Sequence, residues 1–352
     1  HIPNISPILK IILKKINYHN NENEHFLTKR VTKEYETPLI DSFNTVYTAT
    51  VTIGTPGQEF NVVIDTVNKF DSSESSTFLT TNTEFECSYA DGTNCRGLLG
   101  VDGFKFGPKN ESNALIVPTA LIGLAKDAES AGSMFELKID GIFGLAPPRS
   151  DDLCGFESPL FTAYKNKLIK ESVFTVYMHN SKDSESEEYG GEITFGGINE
   201  ENCDLPVHWT KAHLSEYWTF KLDGLSHAGN TINIKSSNVI SDTGSSLISG
   251  PKSPVQKIYA SIGQIKENIL SIKIPCDKEY EPVIFNIGGK DFKLGKEVLT
   301  IHNDKLTDGM CEFGIVWSEA YDFWVFGDPF IRKYCTIYDF GRRKIGFAAQ
   351  KL

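Results

Sequence analysis

One pattern is written twice in this chain, "FNVVIDT" at 60–66 and "SNVISDT" at 237–243, each an apolar run ending in Asp-Thr. Each copy is followed by two apolar residues and a glycine, in "DGIFGL" at 140–145 and "FWVFGDP" at 323–329. The spacing from aspartate to that glycine is 79 residues in the first half (144 − 65) and 85 in the second (327 − 242). Two patterns recurring in the same order at nearly the same spacing require two lobes of similar architecture. A length of 352 residues suits that division, since domains average roughly 150 residues.

Most of the chain reads as short strands broken by Gly, Pro, Asn and Asp. "TVYTATVTIGTPGQEFNVVID" and "SEEYGGEITFGGI" alternate at period two, and "KYCTIYDFGRRKIGFAA" predicts a hairpin. Helical patterns are few, the best being "ESPLFTAYKNKLIK" and "SPVQKIYASIG". The net charge of −11, from 35 basic and 46 acidic residues, argues against nucleic acid and anionic membrane as partners and suits work in acid. No apolar run reaches the roughly 18 residues of a membrane-crossing helix. The first residues, "HIPNISPILKIILKKINYHN", do not have the order of a signal peptide, and the true start is expected to lie upstream.

The seven cysteines are Cys87, Cys95, Cys154, Cys203, Cys276, Cys311 and Cys335. None forms a CxxC pair or joins a histidine at zinc spacing, so no metal is expected and disulfides in a secretory compartment are the simpler reading. Asn4-Ile-Ser6 and Asn110-Glu-Ser112 fit the N-glycosylation sequon. Ser245 and Ser246 do not make a serine-hydrolase elbow, because Ile248 stands where G-x-S-x-G needs glycine.

From about Tyr47 to the C-terminus the chain resembles the pepsin-like aspartic peptidases. The motifs that carry the likeness are "YTATVTIGTPGQEFNVVIDT", "CSYADGTNCRGLLGVD", "GGEITFGGI", "YWTFKLDGL", "SDTGSSLISGP" and "VFGDPFIRKYCTIYDFGRRKIGFA", the last most like nematode members. The resemblance implies an all-β bilobal fold with one catalytic aspartate per lobe, a cleft between the lobes and a hairpin flap above it. Residues 1–36 would be a propeptide-like segment, 37–182 the N-terminal lobe and 183–352 the C-terminal lobe. Asp65 and Asp242 would be the pair. Two neighbouring carboxylates share one proton in acid, the charged member deprotonating a water that attacks the scissile carbonyl.

Around that pair, Thr66 and Thr243 would anchor the two loops to each other. Gly244 would keep the backbone close beneath the carboxylate, and Ser245 would hydrogen-bond its outer oxygen. Tyr89 matches the flap tyrosine that closes over substrate. Cys276–Cys311 and Cys203–Cys335 are the disulfides the resemblance implies; Cys87 and Cys95 flank the flap tip, and Cys154 has no assigned partner. The implied partners are a peptide or protein substrate, held over six to eight residues, and pepstatin-like inhibitors, with no cofactor and a monomeric state. The implied location is secreted or lysosomal, and Lys10, Lys14, Lys15, Lys29, Arg30 and Lys33 of the leader would pair with an acidic cleft until acid releases it.

The first copy departs from the family pattern. Thr66 runs into Val67-Asn68-Lys69-Phe70 where the family continues with glycine, serine and a buried strand bearing a tryptophan. None of Trp209, Trp218, Trp317 and Trp324 lies where it could replace that residue. This reads as an internal deletion of about one strand and loop, with Val67 placing a β-branched side chain where glycine is expected. Two readings follow: an aspartic endopeptidase active at acidic pH, or an impaired relative or spliced variant that only binds peptide.

Overall fold

The computed structural model describes residues 33–42, 46–63, 70–88, 94–129, 141–147, 158–179, 188–214, 217–263, 265–267, 272–302, 309–319 and 322–351. The alternating first half folds as antiparallel strands: β1 (Tyr35–Ser42), β2 (Val46–Ile53) and β3 (Gln58–Val63), with Leu39 opposite Ala49 and Val51 opposite Phe60. Side chains on a strand point to alternate faces, and Tyr47, Ala49, Val51 and Ile53 all enter the core. A hairpin of β4 (Leu79–Ser88) and β5 (Asn94–Phe106) follows, extended by β6 (Ile116–Glu129) on the other edge of β5.

Strands β7 (Gly141–Ile142), β8 (Val173–Met178), β9 (Glu188–Phe195) and β10 (His208–Lys211) complete a sheet that runs through both halves. The expected C-terminal hairpin forms from Tyr334–Asp339 and Lys344–Ala349, with Tyr334 opposite Ala349. It lies between β10 and β8, while β9 carries the sheet on to β1. The two halves therefore share backbone hydrogen bonds as well as apolar contacts. A six-stranded sheet belongs to the second half, with β11 (His213–Leu214) and β12 (Trp218–Lys221) at one edge, followed by Asn238–Ser241, Trp324–Phe326, Ile248–Pro251 and Ile315–Ser318. The fold is thus all-β and bilobal, and the two helical patterns become α1 (Pro159–Lys165), capped by Ser158, and α2 (Lys252–Ile262).

The serine-rich stretch after the first Asp-Thr is a built part of the first lobe. Phe70 is buried against Phe60 and Phe78, at ring separations of 6.2 and 5.9 Å. Gln58 brackets Asp71, donating to its carbonyl at 2.9 Å and accepting from its N–H at 3.2 Å. Ser75 and Thr77 each donate to the buried Asp102 carboxylate at 2.6 Å. The Gln58 bonds set Phe70 and Asp71 beside the start of β3.

A buried polar cluster couples the first strands to the end of the chain. Arg332 donates to the Tyr47 hydroxyl, which donates to the carbonyl of His179 at 3.3 Å. Asp41 and Asp328 face the same guanidinium, and all four side chains are almost fully buried. Desolvation pushes the Asp328 carboxyl well above the usual carboxylate range, and Asp41 and Asp242 add to that, against the opposing pull of Arg332. Burial works against the charge of Arg332, but Tyr47, Asp328 and Asp41 outweigh it and hold it protonated.

Candidate active site

The same crossing of parallel strands is built once in each half. In the second, Asn238–Ser241 runs parallel to Trp324–Phe326, with Ile240 opposite Val325. In the first, β3 runs parallel to β7, with Val63 opposite Ile142. Each of these four residues stands two places before a residue of the duplicated motifs, namely Asp242, Gly327, Asp65 and Gly144. The repeat visible in the sequence is therefore a repeat of strand register.

In the second half the crossing delivers Asp242. Its N–H donates to the carbonyl of Phe326 at 3.0 Å, which fixes the backbone at the strand end. The Gly244 N–H donates to Oδ1 at 3.0 Å and the Ser245 hydroxyl donates to Oδ2 at 2.6 Å, so each carboxylate oxygen has a donor. Burial pushes the Asp242 carboxyl up to about 6, and the bonds from Ser245 and Gly244 hold it lower than burial alone would. Gly327 closes the loop from behind. A Cβ there would stand 2.0 Å from the Ser245 carbonyl oxygen, and that oxygen accepts from the Asp328 N–H at 2.8 Å.

Two side chains that brace this strand, Tyr338 and Trp218, sit in motifs distant from Asp242 in the chain. Ser241, immediately before Asp242, shares a 2.8 Å hydrogen bond with Tyr338, whose ring stacks on Phe174 at 4.5 Å. Trp218 lies opposite Ser241 and packs edge-on to Tyr338, and its indole N–H donates to the carbonyl of Leu145 at 2.9 Å. Leu145 follows the first-half motif glycine, Gly144. Trp218 thus joins the strand that carries Asp242 to the corresponding glycine segment of the other lobe. The only sequence signal for it is the tryptophan in "YWTFKLDGL".

Asp65, Thr66, Val67 and Tyr89 lie outside the described residues, as does Cys154. Thr243 is described and half-buried, and no described residue hydrogen-bonds its hydroxyl. Cys87 and Cys95 are backbone partners across the β4–β5 hairpin. Disulfides join Cys203 to Cys335 and Cys276 to Cys311. Cys276, Cys311 and His302 come within 4.8 Å of one another, the one such grouping among the described residues, but both sulfurs are spent in a disulfide. No helix among the described residues is long and apolar enough to cross a membrane.

These features define a two-lobed β protein in which one strand-and-glycine crossing is used twice and, in the second lobe, presents a half-buried, hydrogen-bonded carboxylate. The family profile described as "Eukaryotic aspartyl protease" matches residues 66–350. The chain is 31% identical to "Aspartic protease 17" of Caenorhabditis elegans, over 88% of this chain and 84% of that protein. It is likewise 31% identical to "Aspartic protease 6" of the same nematode, over 86% and 81%, and 28% identical to "Pepsin A" of Sus scrofa, over 88% and 83%. The chain belongs to the eukaryotic aspartyl protease family.

Proposed function

We propose that the protein is an aspartic endopeptidase that hydrolyses peptide bonds at acidic pH, with Asp65 and Asp242 sharing one proton and activating a water between them. The observation that carries this reading is the Asp242 carboxylate, half-buried and held by Gly244 and Ser245 at the end of a strand whose register is repeated on the way to Asp65. A carboxyl held near 6 keeps its proton through the acidic range, as the member that donates to the developing oxyanion must. In this reading Asp65 is the charged member that takes the proton from water. Thr66 and Thr243 steady the two loops, and Tyr89 closes over an extended peptide. No metal or organic cofactor takes part in the reaction.

The lobes divide at residues 37–182 and 183–352. The disulfides agree with a secretory route, and on this reading the protein is secreted or lysosomal and works as a monomer. Residues 1–36 act as a leader whose lysines and arginine neutralise the cleft until acid protonates its carboxylates. Tyr35 and Glu36, the last residues of that segment, pair with Phe195 and Thr194 in β1. The leader reading fails if the full chain cleaves as well at neutral pH as a chain beginning near Thr37.

Val67, standing after Thr66 where Gly244 follows Thr243, favours a second reading, a pseudoprotease that keeps the cleft and binds peptide without cleaving it. The Asp242→Asn variant separates the two. The endopeptidase reading expects acid cleavage of an unfolded protein substrate, inhibited by a pepstatin-like transition-state mimic and lost in the variant. The pseudoprotease reading expects a folded wild-type chain that binds such peptides and cleaves none.

A further inference from the structure

The Asn110-Glu-Ser112 sequon falls on a surface turn in the first lobe. Asn110, Glu111 and Ser112 are all exposed, and the Asn110 amide is bonded to none of the described residues. The backbone around it is firmly held: Phe106 donates to the Leu115 carbonyl at 2.9 Å, Glu111 to Pro108 at 3.0 Å, and Lys109 to the Glu59 carboxylate at 2.5 Å. Gly107, at φ +120°, lets the chain leave β5, and its N–H donates to the Thr50 carbonyl at 2.9 Å. The turn therefore presents a free carboxamide on a fixed base, with room outside it. It follows the end of β5 opposite to Asn94.

We propose that Asn110 is a site of N-linked glycosylation. The two disulfides agree with passage through an oxidising lumen, where asparagine-linked transfer takes place. In the transfer, the Asn110 Nδ2 forms a bond to the anomeric carbon of a lipid-pyrophosphate-linked oligosaccharide and gives up one proton to the transferase. The anomeric C–O bond breaks, and the lipid pyrophosphate leaves with its electron pair. Ser112 supplies the hydroxyl by which the transferase recognises the site. The glycan would cover the polar turn and leave the cleft side open, so it would act on solubility and protease resistance rather than on turnover.

The test is expression of the full chain behind a secretion leader in a eukaryotic host, with peptide mapping by mass spectrometry of both cell lysate and medium. The expected result is a hexose and N-acetylhexosamine mass on the peptide containing Asn110, removed by peptide-N-glycosidase with conversion of Asn110 to Asp. Asn110→Gln and Ser112→Ala each lose that glycan, Ser112→Thr keeps it, and Asn4→Gln leaves it in place. Transfer precedes folding, so a variant that folds poorly still reports in the lysate. An unmodified Asn110 peptide in both fractions overturns the proposal, whether or not the protein proves to be a peptidase.

Discussion

Trp218 donates its indole N–H to the backbone oxygen of Leu145 across 2.9 Å, and by that bond the strand that positions Asp242 leans on the glycine segment of the opposite lobe. Trp218→Phe keeps an aromatic ring against Tyr338 and Phe174 but removes the donor and leaves a buried carbonyl unpaired. The expected loss is about 1–3 kcal/mol in urea denaturation. A variant as stable as the wild type would mean the lobes are held without this bond.

Asp242→Asn should stabilise the protein at neutral pH. The Asp242 carboxyl is raised to about 6 in the folded state from 3.8, so between those values the folded chain binds the extra proton. Its contribution is therefore favourable in acid and is lost as pH rises through about 6, a swing of roughly 3 kcal/mol. The variant, with nothing to ionise, should gain on the wild type between about pH 4 and pH 7. A constant difference in unfolding free energy across that range would contradict the assignment.

Ser245→Ala removes the hydroxyl bond that pulls the Asp242 carboxyl down. The proton shared by the pair should then be held to higher pH, and the pH dependence of kcat/KM should shift upward. A downward shift would mean that Ser245 is not bonding the ionised oxygen.

The buried cluster at Asp328 and Arg332 should respond unequally to mutation. Arg332→Met takes the cation from beside the buried Asp41 and should cost about 3–5 kcal/mol. Asp328→Asn should cost about 1 kcal/mol or less, because burial already pushes that carboxyl toward neutrality and Asn keeps the N–H bonded to Ser245. Equal losses from the two variants would show that Asp328 is ionised in the native state.

The duplication was legible in the sequence because it rests on local patterns: an apolar run must end at Asp-Thr, and a glycine must meet it closely enough to exclude a Cβ. Gly327 shows why, with the Ser245 carbonyl where its side chain would be. Ser245 was legible for the same reason, since a hydroxyl three residues past an aspartate at a turn has one oxygen within reach. Trp218, Tyr338 and the Asp41–Tyr47–Asp328–Arg332 cluster were not, because each joins residues far apart in the chain and none recurs at a fixed spacing. The serine-rich stretch reads as a polar loop, yet Phe70, Gln58 and Asp102 fix it in place. Its partners come from strands on both sides of it, and local propensity carries no trace of them.

If Asp65 and Asp242, one from each lobe, form a working pair, cleavage in acid needs both of them. The most direct test is cleavage of a denatured protein by the purified, folded chain from about pH 3 to pH 7, with and without pepstatin, beside Asp65→Asn and Asp242→Asn. The expected result is pepstatin-sensitive cleavage with its maximum in acid, abolished by either substitution. A chain shown to be folded that cleaves nothing at any of these pH values, or one that keeps its activity in either variant, would contradict it.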